Sequence, residues 1–272
     1  MLERILYFSA LLLLLASCQP QEKTQGWTFE QEIIVEGVNP IGIAMTNKGI
    51  WLSDGDHNRV VRMDSTGLIK TEIDSLDRPM HISGSANSLL IPQYGNDEIV
   101  KYSNEKQENL ALQDSLDAPA GVSHRGSEIA IADFYNHRIL YTTDGTNYIS
   151  FGQEGKEEGD FYYPTDVQLT GDKIYVADAY NNRAQVFDKS GRFLLQMGQD
   201  DGLNAATGIY VSEAYVFLTD FENSRVLVFD LGGNKLQELS TQINKPTDLL
   251  VINGKLYVTN YKGSSLSVYL EN

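Results

Sequence analysis

Residues 163–183 read Tyr163-Pro164-Thr165-Asp166-Val167-Gln168-Leu169-Thr170-Gly171-Asp172-Lys173-Ile174-Tyr175-Val176-Ala177-Asp178-Ala179-Tyr180-Asn181-Asn182-Arg183. Two runs of alternating or β-branched and aromatic residues, Thr165 to Leu169 and Lys173 to Ala177, flank a Thr-Gly-Asp turn, and the second run ends in an Asp-x-x-Asn-x-Arg turn. Two further runs, Ala184 to Phe187 and Phe193 to Met197, complete a unit of four short strands, the pattern of an antiparallel meander. The opening recurs at Asn39-Pro40-Ile41-Gly42, Arg78-Pro79-Met80-His81, Ala118-Pro119-Ala120-Gly121, Ala205-Ala206-Thr207-Gly208 and Lys245-Pro246-Thr247-Asp248, so that five of the seven prolines occupy one position. The turn recurs at Asp54 to Arg59, Asp133 to Arg138 and Asp220 to Arg225, with degenerate copies at Gln93 to Glu98 and Asn260 to Ser265. Taking Asp54, Gln93, Asp133, Asp178, Asp220 and Asn260 as equivalent, the spacings are 39, 40, 45, 42 and 40. Four strands at a period near forty residues is what a β-propeller needs. The count gives six blades.

The last unit supplies strands near Asp248 to Ile252, Lys255 to Thr259 and Leu266 to Leu270, and then the sequence ends without a fourth. The segment Thr28 to Val35 belongs to no unit and is expected to provide the missing outer strand, closing the ring. Closure removes an unpaired edge, which otherwise invites association, and a monomer is the expectation. The fold class is therefore all-β, a six-bladed propeller over residues 28–272.

The Asp-x-x-Asn/His-x-Arg turns and the connector Phe151-Gly152, Gly155, Gly159, Phe161, Pro164 resemble the NHL-repeat family, over about residues 28–270. That resemblance independently implies six blades around a central channel. It also implies a range of functions. Some similar propellers are lyases, including the peptidyl-hydroxyglycine amidating lyase, which holds zinc with three histidines from alternate blades. Lactonase-like propellers place carboxylates and Asn around calcium, and other NHL propellers bind RNA through a basic face.

Residues Met1 to Cys18 begin with one cation, Arg4, and run through the apolar stretch Ile5 to Ala16 into Leu15-Ala16-Ser17-Cys18. An apolar stretch of twelve residues is too short to span a bilayer, and the pattern is that of a secretory signal. The ending resembles the bacterial lipobox. By that resemblance residues 1–17 are removed, the thiol of Cys18 is lipidated, and residues 18–27 form a polar tether to the propeller. Two or more acyl chains anchor stably where one does not. The expected location is the bacterial cell envelope, with the outer membrane as the site of the anchor. Cys18 is the single cysteine among 272 residues, so no disulfide framework is available.

With 21 Lys+Arg against 37 Asp+Glu the formal charge is −16, which opposes attraction to phosphate backbones. The turns add Asp56, Asp97 and Glu222 to the acidic side. Nucleic acid is not an expected partner. Gly-rich phosphate loops, Gly-x-Ser-x-Gly elbows and His-Glu-x-x-His are all missing from the sequence.

In an up-and-down meander the repeat openings and the Asp-x-x-Asn-x-Arg turns share one rim. On it fall His57, His81 and His137, with Tyr94, Phe134, Tyr135, Tyr180, Phe221 and Tyr261, while His124 falls on the opposite face. The aromatics are a candidate surface for a protein, peptide or glycan, or they pack against neighbouring blades. The pairs Asp54/Arg59, Asp133/Arg138, Asp178/Arg183 and Asp220/Arg225 are expected to be structural, bidentate and partly exposed. Two residues after the repeat proline, or after its equivalent Ala206 in blade five, stand Gly42, His81, Gly121, Asp166, Gly208 and Asp248. The three with functional side chains fall on blades two, four and six. His81, Asp166 and Asp248 are candidate ligands for a divalent metal, zinc or calcium, or they bond to local backbone amides. Two readings stay open. One is an envelope lipoprotein that binds a ligand or partner through its rim and channel mouth. The other is a metal-dependent lyase or hydrolase with Arg138 or Arg183 as electrostatic stabiliser; no residue is assigned as catalytic.

Overall fold

The structure, a computed structural model, describes residues 26–112 and 114–272. Cys18, the 1–17 signal and most of the 18–27 tether lie outside the described residues. The described chain forms six antiparallel sheets of four strands each, arranged as the blades of a propeller. In blade four the strands are Pro164–Leu169, Lys173–Asp178, Arg183–Asp188 and Phe193–Met197, each beginning and ending within one residue of the sequence-derived run. Pairing of Pro164 with Asp178, and of Asp178 with Arg183, puts the repeat opening and the Arg turn on the same rim.

The second strand of each blade is apolar on both faces because both faces are covered. In blade four Tyr175 and Ala177 join Ile209, Val216 and Leu218 of blade five. Ile174 and Val176 point the other way and join Ala130, Ile139 and Tyr141 of blade three. The period-two pattern thus alternates between two dry interfaces rather than between core and water. Each interface is a separate cluster, so the core is a ring of blade-to-blade contacts around the axis.

The ring closes as expected. Trp27–Ile34 pairs antiparallel with Ser265–Glu271, from Trp27 opposite Glu271 to Ile34 opposite Ser265. The Gln237 side chain in blade five accepts the Trp27 amide at 2.8 Å and donates to the Trp27 carbonyl at 2.7 Å.

A second device locks neighbouring blades at the rim. At five of the six blade boundaries the residue before the Arg position accepts the backbone N–H of the residue just before the next repeat-proline position: Asn58 from Arg78 at 3.0 Å, Asp97 from Ala118 at 2.7 Å, His137 from Tyr163 at 3.1 Å, Asn182 from Ala205 at 2.8 Å and Ser224 from Lys245 at 3.2 Å. These residues all hold φ between +50° and +64°. Non-glycine residues resist that region by roughly 1–3 kcal/mol and stay there only where surroundings fix them. The backbone amide of one strained residue is bonded to the side chain of the other, so each latch fixes both. His137 accepts through Nδ1, which places its proton on Nε2.

Candidate functional site at the ring axis and on its upper face

The innermost strands meet around a narrow axis, and the alternation of glycine with larger residues has a steric cause. A Cβ on Gly42 would stand 2.6 Å from the Met80 carbonyl oxygen and 2.9 Å from His81 Cα. On Gly121 it would stand 2.7 Å from the Thr165 carbonyl oxygen and 2.8 Å from Asp166 Cα, and on Gly208 it would stand 2.8 Å from Asp248 Cα. The odd blades therefore present bare backbone, against which the even blades pack His81, Asp166 and Asp248. Gly121→Ala is expected to force blades three and four apart at a cost of about 1–3 kcal/mol. A thermal melt should show a drop of several degrees, roughly 2–4 °C per kcal/mol for a domain this size; an unchanged midpoint would contradict the contact.

The three even-blade side chains converge. One ligand atom from each lies within 4.8 Å of the other two, and their side chains are 3%, 8% and 7% exposed for His81, Asp166 and Asp248. They form a plug one layer below the rim rather than an open mouth. His81 Nδ1 stands 3.6 Å from Asp248 Oδ2 and 3.9 Å from Asp166 Oδ2, too far for a hydrogen bond. It has no hydrogen-bond partner among the described residues. Both carboxylates also bond backbone amides, as the alternative reading required. Asp166 accepts Val167 N–H at 2.8 Å and, across the blade boundary, Ile209 N–H at 2.9 Å. Asp248 accepts Leu249 N–H at 2.8 Å and Ile43 N–H at 2.9 Å.

Burial disfavours both charged forms. It pushes the Asp166 carboxyl well above the usual carboxylate range; nearby Asp248 adds to this, while His81 and the two amides oppose it. For His81 burial works against protonation, but the attraction of Asp166 and Asp248 overrides it and raises the imidazole above its ordinary value. The plug separates two cavities. His81 lines one of about 290 Å3 toward the upper rim, with Thr165, Thr207 and Thr247 around it. Asp166 and Asp248 line one of about 240 Å3 toward the opposite face. His124 lines the lower cavity, as its place in the meander implied; its Nδ1 lies 2.8 Å from Ser83 Oγ, and burial and Lys101 lower its basicity.

The Asp/Arg pairs differ in two respects from expectation. The carboxylates of Asp54, Asp133, Asp178 and Asp220 are fully buried, and each receives its arginine through Nε alone, at 3.0, 2.8, 2.9 and 2.6 Å for Arg59, Arg138, Arg183 and Arg225. The contact is single rather than bidentate because each Nη2 is turned toward loop carbonyls and each Nη1 toward another side chain, Glu72, Asp114, Gln196 or Glu238. Arg183 bonds the Glu157 and Asp160 carbonyls, and Arg138 bonds that of Ser115. Each carboxylate meanwhile accepts a backbone N–H sixteen residues upstream, or fifteen for Asp54. Gln93 and Asn260 do the same in the degenerate blades. With every nitrogen bonded and the side chain 2% exposed, Arg183 is not free to stabilise charge on a substrate, whereas Arg138 keeps Nη1 only 3.5 Å from the exposed carboxylate of Asp114.

The rim aromatics divide into two groups. Tyr94, Phe134, Tyr135 and Tyr180 belong to one continuous shelf over blades two to four, bridged by Tyr162 and Tyr163, which were not singled out from the sequence. Phe134 stacks on Tyr163 at 4.8 Å, Tyr163 meets Tyr180 at 5.0 Å, and Tyr94 meets Tyr135 at 5.8 Å. Arg78 caps the far end over Tyr94 at 4.8 Å. Tyr135 is 48% and Tyr180 62% exposed. Phe221 and Tyr261 form a separate pair at 6.3 Å, with the Tyr261 hydroxyl bonded to Asp56. A cavity of about 490 Å3 lies between the groups, lined by Phe134, Tyr180 and Phe221. The signal for the bridge was available: Tyr163 fills the position held elsewhere by Asn39, Arg78, Ala118, Ala205 and Lys245, the one aromatic before a repeat opening.

No family model matches the chain. It is 26% identical over 133 residues to protein brain tumor of Drosophila melanogaster, a match covering 47% of this chain and 13% of that protein's length. Among solved structures it is similar to a streptogramin B lyase, with a TM-score of 0.67 and 14% identity over 90% of this chain and 98% of that one. A virginiamycin B lyase from Staphylococcus aureus gives a TM-score of 0.66 and 14% identity, covering 90% and 99%. A chain of a nidogen–laminin complex gives 0.64 and 18%, covering 74% and 79%. At such identities the structural likenesses speak to the fold. Ring topology, repeat and structural likeness together make this chain an all-β, six-bladed propeller.

Proposed function

We propose that the chain is an exported lipoprotein of the bacterial cell envelope, tethered through Cys18, whose propeller binds a protein, peptide or glycan on its upper face. The observation that carries the binding reading is the aromatic shelf over blades two to four. Its rings meet at steep angles, 56° between Tyr94 and Tyr135 and 68° between Tyr163 and Tyr180, so they present faces, edges and hydroxyls in several directions. Such rigid amphipathic side chains supply contact area at low entropic cost and are enriched where proteins bind partners. Tyr135 and Tyr180 carry the exposed part of the shelf, while Phe134 and Tyr163 position them. The anchor reading rests on the resemblance of Leu15-Ala16-Ser17-Cys18 to a lipobox.

The test is a screen of the purified full chain against glycan and peptide arrays, repeated with Tyr135→Ala/Tyr180→Ala. Removing two central aromatics from a binding surface is expected to weaken the captured ligand about tenfold or more, since such residues typically contribute 1 kcal/mol or above each. The melting temperature should stay near that of the parent. Equal binding by the variant would place the ligand elsewhere. The lyase reading has the streptogramin B lyase likeness and the His81/Asp166/Asp248 plug on its side. Against it stand the burial of that plug and the engagement of Arg183 in structural bonds.

A further inference from the structure

We propose that the axis of the ring binds a first-row divalent cation, zinc by preference, through His81 Nδ1 and one oxygen each of Asp166 and Asp248. Two carboxylates alone would not carry this, because each is already accounted for as an acceptor of backbone amides. The independent observation is His81 Nδ1, which is buried, aimed between the two Oδ2 atoms and without a hydrogen-bond partner. Buried ring nitrogens are rarely left in that condition in folded proteins. Its distances of 3.6 and 3.9 Å are too long for hydrogen bonds yet near the separation of two ligands on one ion. Bonds of about 2.0–2.2 Å at tetrahedral angles place ligand atoms roughly 3.3–3.6 Å apart. For His81 this is a contraction of a few tenths of an ångström at most, and all three ligand atoms already lie within 4.8 Å of one another.

The amide bonds on the carboxylates support the assignment. Each oxygen of Asp166 and Asp248 accepts one N–H and keeps a further lone pair. Those bonds fix the orientation of the carboxylates, as outer partners do for metal ligands in general. One imidazole nitrogen with two carboxylate oxygens suits zinc better than calcium, which takes six to eight oxygens. The cavities above and below the plug give a fourth position to water. An ion here would tie blades two, four and six to one another, blades that share no strand pairing.

The full chain, purified in detergent, is stripped with a chelator, dialysed and titrated with zinc, manganese and calcium by calorimetry and thermal melting. The expected result is about one equivalent of zinc bound, a melting midpoint raised by several degrees, and weaker responses to manganese and calcium. His81→Gln removes an imidazole whose Nδ1 carries no hydrogen bond, so the ring should fold, confirmed by an unchanged circular dichroism spectrum, yet lose stoichiometric zinc. Asp248→Asn is expected to do the same and serves should His81→Gln fold poorly. No stoichiometric zinc in the parent chain overturns the proposal. So does zinc retained in full by both variants, which would place it on other residues, or calcium bound in preference to zinc.

Discussion

A chain that begins at Val38, and so lacks the segment holding Trp27–Ile34, should fail to form a stable ring. The segment fills the outer edge of blade six, where seven of its residues pair with Ser265–Glu271. It also buries Trp27, Ile33 and Val35, with Trp27 packed edge-on against Phe217 of blade five at 5.3 Å. Full burial of each such side chain contributes roughly 1.5–3 kcal/mol, or about 5–9 kcal/mol for the three. The net stability of a domain is about 5–15 kcal/mol. Removing the segment therefore costs a large part of the whole, and it bares the edge of Ser265–Glu271 to strand addition by other chains. The expected outcome is loss of the cooperative melt, or a midpoint lowered by tens of degrees, with aggregation. A synthetic peptide covering residues 26–37 should partly restore the transition, since strand addition supplies the missing hydrogen bonds in trans. Melting close to the intact chain would show that the ring does not depend on this closure.

The closure was legible because it rests on counting. Strand number, period and the surplus segment before the first unit are properties of sequence order, and a ring leaves one place for an unpaired strand. The rim assignment was legible for the same reason: antiparallel pairing puts Pro164 opposite Asp178 whatever the side chains do. Convergence of His81, Asp166 and Asp248 followed from their shared register on alternate blades. What spacing could not show was depth and contact. The even-blade residues lie buried against bare glycine backbone, which depends on how closely the innermost strands approach. Tyr162 and Tyr163 sit in the connector before a repeat opening, where the chain crosses between blades, and no period reports which neighbour such a residue will meet. His137 looked like a rim histidine, but its φ of +51° turns its ring back to accept the Tyr163 amide. The Asp/Arg turns were legible as structural but not as buried, because the loops that cover them are outside the repeat pattern.

Removing the Asp178–Arg183 pair whole should cost clearly less than the sum of the two one-sided losses, and blade six of this molecule indicates why. Asp178 is buried and accepts four donors: the Tyr162 amide, Asn181, Arg183 and Gln185. Arg183, 2% exposed, donates to Asp178, Gln196 and two loop carbonyls. Burial pushes the Asp178 carboxyl above its ordinary value, outweighing those hydrogen bonds and the attraction of Arg183. The desolvation of the pair is thus not repaid in full by its own attraction. At the same places blade six carries Asn260 and Ser265, joined by a neutral bond of 3.2 Å, and Asn260 still accepts the Asn244 amide at 3.0 Å. The fold therefore tolerates an uncharged version of this turn. Asp178→Asn with Arg183 left in place strands a buried guanidinium and is expected to cost about 3–5 kcal/mol. Arg183→Ser should also destabilise, by less, because three donors still hold the carboxylate. The double variant Asp178→Asn/Arg183→Ser should be more stable than the sum of the two losses predicts, by about 1–3 kcal/mol of coupling. Urea unfolding of the four proteins measures that difference directly. Strict additivity would mean that the two charges do not depend on each other, and that the turn is held by its backbone and the loop carbonyls alone.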